Sequence, residues 1–236
     1  MATRVRWLGH AALLLESDGR NVLIDPFLTG NPKAAVQAGE VPADLILISH
    51  GHGDHVGDAV AIARRTGATL ATNYEISLWL QQPAQGLDGD HVQGLQHGGS
   101  FLFDGAVRVK LTLAFHGSML PDGSNGGNPC GLVMTFPDGV KVYDAADTAL
   151  FGDMALIGEE GLDLAILPIG DYYTMGPDDA VRAVKLLKPR FVLPIHYNTF
   201  PPIVQDADAW AARVKNETSA QPVVLQPGDW FEIPKK

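Results

Sequence analysis

The chain has 236 residues, of which 46% are apolar and 19% charged, so it carries ample material for a core and no compositional signature of extended disorder. Acidic residues outnumber basic ones by 27 to 17, and no basic run exceeds the pairs Arg64-Arg65 and Lys235-Lys236. Nucleic acids and anionic membranes therefore find no basic footprint, and no segment approaches the roughly 20 apolar residues of a spanning helix.

Short apolar or β-branched runs bounded by turn residues predict strands at 4–8, 12–16, 22–25, 45–49, 107–114, 132–136, 140–144, 164–168, 191–195, 223–225 and 230–233. Helices are expected at 58–66, closed by Gly67, and at 177–188, where Pro177 suits a first helical position and Pro189 stops the helix. In the latter, Val181, Val184 and Leu187 share one buried face. A third helix is expected at 206–216, and a short one carries Trp79 and Leu80 into the core. Segment 117–131 is rich in glycine and reads as a long irregular connection. Within it, Met119 and Leu120 are candidate substrate contacts. The mixture predicts a layered α/β protein, with residues 1–236 as one domain.

The segment Leu45-Ile46-Leu47-Ile48-Ser49-His50-Gly51-His52-Gly53-Asp54-His55 carries the chemistry. A buried strand breaks abruptly into four potential ligands. Imidazole and carboxylate are donors that zinc, manganese and iron accept, and crowding them is unfavourable without a cation. Gly51 and Gly53 give the loop freedom to converge.

This run resembles the signature His-x-His-x-Asp-His of the metallo-β-lactamase superfamily, matched by His50, His52, Asp54 and His55. Three more positions of that superfamily are filled by His116, Asp147 and His196. The resemblance implies a four-layered αββα sandwich. It also implies that His50, His52 and His116 hold one metal and that Asp54, His55 and His196 hold a second. Asp147 would bridge the two ions together with a water or hydroxide. Further segments are similar to an uncharacterised metal-dependent hydrolase branch related to ascorbate-6-phosphate lactonase: Trp7-Leu8-Gly9-His10-Ala11, residues 23–32, Gly170-Asp171, Thr174-Met175-Gly176-Pro177 and residues 196–201. Two departures stand out: Ala146, where glycine is common, and Asp144.

The implied activity is hydrolysis of a small-molecule ester, lactone or related bond by two divalent ions, with zinc expected ahead of manganese or iron. Phosphodiester cleavage at the same site and metal binding without catalysis are the alternatives. Asp54 and His10 are the candidate catalytic residues, His10 as a substrate contact or proton donor. Asp25 resembles an early strand-end aspartate that orients a ligand histidine. Asp171, Tyr172, Tyr173 and Asn198 stand at strand ends, where they could line a pocket or form turns. His91 and His97 read as solvated loop residues. The lone Cys130 reads as a small buried or loop residue and excludes an internal disulfide, which fits a cytoplasmic location. The expected partner is a small molecule, with no nucleic acid and no membrane, and self-association stays open.

Overall fold

The computed structural model describes residues 2–235 and arranges their strands in two seven-stranded sheets. The first half forms β1 (Arg4–Gly9), β2 (Ala12–Ser17), β3 (Arg20–Ile24), β4 (Leu45–Leu47), α1 (Gly53–Val56), α2 (Ala59–Thr66), β5 (Thr69–Asn73), α3 (Tyr74–Leu80) and β6 (Val92–Leu95). The second half continues with β7 (Ser100–Phe103), β8 (Val107–Leu113), β9 (Cys130–Thr135), β10 (Lys141–Asp144), α4 (Met154–Gly158), β11 (Leu164–Pro168), α5 (Pro177–Leu187), β12 (Phe191–Ile195), α6 (Ala207–Glu217), β13 (Gln221–Pro222) and β14 (Trp230–Glu232). The sheet orders are β14-β1-β2-β3-β4-β5-β6 and β13-β12-β11-β10-β9-β8-β7, so the last strand returns to close the first sheet beside β1.

Alternate residues of the first sheet serve two cores. Leu13, Leu15, Val22, Ile24, Leu45 and Leu47 share a core with Val109, Leu111, Leu132 and Met134 of the second sheet. The intervening Leu14, Leu23, Ile46 and Ile48 pack with Ile62 and Ala63 of α2 and with Ile76 and Leu80 of α3. A strand covered on both faces must be apolar at successive positions, which is why β4 reads as an unbroken run. On the far side α5 buries Val181, Val184 and Leu187 beside β11. The layers are helix, sheet, sheet, helix, the expected αββα sandwich. No helix among the described residues is long and apolar enough to cross a membrane.

Four strands have no counterpart among the predicted ones: β5, β6, β7 and the two-residue β13. Polar or small residues such as Thr69, Asn73, Gln93, Gly94 and Ser100 dilute the apolar signal of β5, β6 and β7, and pairing with neighbours supplies what the local sequence lacks. Conversely, 223–225 is not a strand. Val223 still donates its amide to the carbonyl of Val192, but the ladder on β12 ends there and the chain leaves toward β14.

Strand direction positions the site. In the first sheet β1 and β3 each run antiparallel to β2, with β4 parallel to β3. In the second, β8 and β10 each run antiparallel to β9, with β11 and β12 parallel to β10. The carboxyl ends of β1 and β12 meet where the amide of His196 donates to the carbonyl of His10 at 3.0 Å.

Candidate metal centre

Every ligand-type residue named above follows the carboxyl end of one of these strands. His50 and His52 follow β4, and Asp54 and His55 lie on α1 directly after them. His116 follows β8, Asp147 follows β10 and His196 follows β12. The helix α1 is a single turn. Gly57 stops it at φ 43°, and a Cβ there would fall 2.5 Å from the carbonyl oxygen of Pro26. Only glycine lets this turn lie against the end of β3.

The side chains converge in three overlapping groups, of which Asp25, His50 and His55 link the other two. Ring centroids of His50, His52 and His116 are 4.7, 5.1 and 5.0 Å apart, and their nitrogens form one compact ligand set. His10, Asp54, His55 and His196 form another. Asp147 lies between them. Its Oδ2 is 3.4 Å from Nε2 of His55, 3.4 Å from Nε2 of His116 and 3.1 Å from Nε2 of His196.

Several of these atoms are stranded. Nδ1 of His196 and Oδ1 of Asp147 are buried without a hydrogen-bond partner among the described residues, and Nε2 of His55 and of His196 approach Oδ2 of Asp147 outside hydrogen-bond geometry. Such burial is unfavourable unless something polar or charged fills the gap. Nε2 of His50 faces Nδ1 of His52 at 3.0 Å, a pair in which only one nitrogen can donate. The donor set is nitrogen and oxygen only, and it fits bound metal ions.

The electrostatics agree. Burial holds the imidazole of His50 well below its usual pKa and also lowers His52 and His116, with the charge of His55 adding to the effect. Burial also opposes charge on His55, yet the carboxylates of Asp147 and Asp25 outweigh it and raise His55 well above its ordinary value. Burial likewise disfavours the Asp147 anion, but His196 and His55 hold it well below the usual carboxylate range. A cation would satisfy Asp147 in place of the proton on His55.

A supporting layer sets the ring orientations. Asp25 accepts from the amide and hydroxyl of Ser49 at 2.8 and 2.5 Å and from Nδ1 of His55 at 2.7 Å, which frees Nε2 of His55 to face the cluster. The Ser49 hydroxyl, having donated to Asp25, accepts from Nδ1 of His50 at 2.9 Å and frees Nε2 of His50 in the same way. His10 is fully buried, with Nδ1 2.9 Å from the hydroxyl of Thr199 and Nε2 3.1 Å from Oδ2 of Asp54. Burial, reinforced by the charges of His196 and His55, lowers its pKa to about 4 against the opposing Asp54 hydrogen bond. Burial would raise the Asp54 carboxyl, but the His10 hydrogen bond and the charge of His55 hold it low.

Backbone geometry marks the same edge. His10, Asp25, Ala146, Asp171, Tyr172, His196 and Asn198 all have positive φ, between 42° and 60°. Left-handed backbone is unfavourable for residues other than glycine, and here it gathers at strand ends around the cluster. No sequence pattern announces it. Thr199, which holds His10, likewise escapes the sequence reading, since only the fold brings residues 10 and 199 together.

The remaining candidates divide. Asn198 serves a turn, its Oδ1 accepting from the amide of Gln205, and Asp171 accepts from the amide of Tyr172. Tyr172, Tyr173 and Met119 are exposed, whereas Leu120 is buried against Gly51 in the outer core and is not placed to touch substrate. The Cys130 thiol is buried at the start of β9 and donates to the carbonyl of Ser49; burial pushes its pKa up. His91 is exposed, while Nε2 of His97 bonds the carbonyl of Pro129. A separate cleft of about 530 Å³ beside Trp7, Lys33 and Tyr197 contains none of the cluster's side chains.

Residues 4–196 match the family model described as the β-lactamase superfamily domain, and the chain belongs to that superfamily. Its relatives narrow the class to the metal-dependent hydrolases. A UPF0173 metal-dependent hydrolase of Thermus thermophilus is 49% identical over 229 residues, covering 97% of this chain and 98% of its own length. One from Thermococcus kodakarensis is 48% identical over 233 residues, covering 98% and 99%. The solved structure of Igni18, a metallo hydrolase from the archaeon Ignicoccus hospitalis, matches with a TM-score of 0.90 at 36% identity over 100% of both chains.

Proposed function

We propose that the chain is a dinuclear hydrolase that opens an ester, lactone or related carbonyl bond of a small molecule, with residues 1–236 acting as one domain. The position of Asp147 carries this reading, because one carboxylate oxygen approaches ring nitrogens from both ligand groups. His50, His52 and His116 would hold one ion, Asp54, His55 and His196 the other, and Asp147 would join them. Zinc suits these donors, as do manganese and iron. When bound, two divalent cations polarise the bond under attack and bring the pKa of water toward neutrality.

The protein's own groups supply the rest. Asp54 has the most exposed side chain of the acidic ligands, at 32%, against 2% for Asp147. It is the group we assign to take a proton from the attacking water. His10 keeps it in place. Facing the ionised carboxylate of Asp54 at 3.1 Å, a neutral His10 carries its proton on Nε2, while its Nδ1 lies 2.9 Å from the Thr199 hydroxyl. With its pKa lowered to about 4 and both nitrogens engaged, His10 is neutral at pH 7 and positions Asp54 instead of protonating a leaving group.

Elemental analysis of the purified protein, paired with lactone and phosphodiester hydrolysis before and after chelation, tests the proposal. Two equivalents of metal with chelator-sensitive lactone turnover is the expected result. Phosphodiester turnover alone would replace the carbonyl assignment, full metal occupancy without turnover would make the site a binding site, and failure to take up metal would remove it.

A further inference from the structure

We propose that the substrate is an uncharged molecule bearing an aryl or alkyl group beside the scissile bond, gripped by an apolar rim of Phe115, Met119, Tyr172 and Tyr173. This deepens the hydrolase reading above and rests on it.

The rim is built on the loops that carry the ligands. Phe115 immediately precedes His116, and its amide and carbonyl are both tied to the segment after Asp147, through Thr148 and Ala149. Met119 lies on the loop whose Gly117 abuts His52 and whose Ser118 hydroxyl accepts from the amide of Gly51. Tyr172 and Tyr173 follow Gly170, which packs on the carbonyl of His196, and the amide of Met175 bonds the carbonyl of Thr148. All four side chains are more than half exposed: Phe115 58%, Met119 62%, Tyr172 74% and Tyr173 52%. Large apolar groups left in water on the very loops that carry the candidate ligands offer a ligand surface to cover. Tyr172 adds a second sign. Its φ of 55° is strained for a bulky residue, yet the ring gains no burial from it and meets Tyr173 edge to face at 4.7 Å.

Charge decides the class of ligand. Segments 48–58, 113–129, 144–176 and 195–205, which carry the ligands and the rim, contain no lysine or arginine. Lys33 lines the separate cleft with Trp7 and Tyr197, and Arg20 is paired with Asp104. A phosphate or carboxylate on the substrate's side group would meet no basic side chain of these segments, whereas a neutral ring or chain would meet four apolar surfaces.

The test has two arms. Metal-loaded enzyme is assayed on a neutral lactone carrying a phenyl group, on the parent lactone without it, and on the phenyl compound bearing a phosphate. Metal-free protein is titrated with a phenyl-bearing amide and its phosphorylated counterpart, with binding followed by ligand-observed NMR. Expected is a kcat/KM that falls roughly tenfold on losing the phenyl group and further on adding phosphate, with only the neutral amide binding. Tyr172→Gly removes the ring and the strained φ together. It should unfold no more readily than the parent protein while KM for the phenyl lactone rises roughly three- to tenfold. Equal or better turnover of the phosphorylated lactone, or an unchanged KM in Tyr172→Gly, would overturn the proposal. Absence of all turnover with selective binding of the neutral amide would sink the hydrolase reading and leave the rim's selectivity standing.

Discussion

Ala146 sits at φ 52°, fully enclosed, one residue before the aspartate that joins the two ligand groups. A methyl group in left-handed backbone costs about 1 kcal/mol, so Ala146→Gly is expected to stabilise the protein by about that amount in denaturant titration. The neighbouring Asp144 explains how alanine is tolerated, since its Oδ1 accepts from the amide of Ala146 and holds the turn. Its own position is unfavourable. Burial, then the charge of Asp25, pushes its carboxyl up to about 7, against about 4 in an unfolded chain. Between those pH values the folded protein keeps a proton that the unfolded chain has lost, so this contribution is fullest below about pH 4 and is lost as pH rises through 7. Asp144→Asn should therefore stabilise the chelated protein by a few kcal/mol at pH 8 and far less at pH 5, as read by denaturant titration at the two values. For His10→Ala, metal affinity of the Asp54 group should fall roughly tenfold in a chelator competition, with His10→Gln, which keeps a donor, recovering part of it. The candidate ligands His50, His52, Asp54 and His55 were legible at this scale because their chemistry is written in one short run, whereas His116, Asp147 and His196 were reached through the family resemblance. The left-handed positions of Ala146 and Tyr172 were not legible, because these are ordinary residues whose backbone angles only the surrounding structure imposes.

The junction from β4 through α1 shows what an element adds. Four ligand-type residues within six positions converge because the strand delivers them to a sheet edge and a single helical turn, stopped at Gly57, rotates Asp54 and His55 toward His196. Gly57→Ala would set a methyl group 2.5 Å from the carbonyl oxygen of Pro26 at a positive φ. A loss of roughly 3 kcal/mol in stability is expected, with weaker metal uptake by the same protein in calorimetry. The sequence located β4 and the helices α2, α5 and α6 to within a residue or two, since each carries a continuous apolar run or a periodic apolar face. It missed β5, β6 and β7, where strand identity is conferred by neighbours in the sheet. It also placed a strand at 223–225, just past the two residues, Gln221 and Pro222, that pair with β12.

On the scale of the molecule, each ligand group is assembled from both halves. His50 and His52 come from the first sheet and His116 from the second, while His10, Asp54 and His55 are joined by His196 from across the seam. Ions that bind only this arrangement stabilise the whole sandwich. Free metal at a hundredfold excess over its Kd should contribute about 3 kcal/mol per site and raise the melting temperature by roughly 10 °C per site in calorimetry. The architecture itself was legible only through the resemblance of its motifs, since strand patterning alone gives a layered α/β protein without the order of the sheets.

Shared ownership of the ligands also orders events in time. A chain emerging from the ribosome presents His50, His52, Asp54 and His55 early, but the first trio waits for residue 116 and the second for residue 196. An arrested or truncated product ending before β12 would hold an incomplete second site. Under the proposed two-ion reading, full metal loading would thereby be deferred until both sheets have been made and have docked.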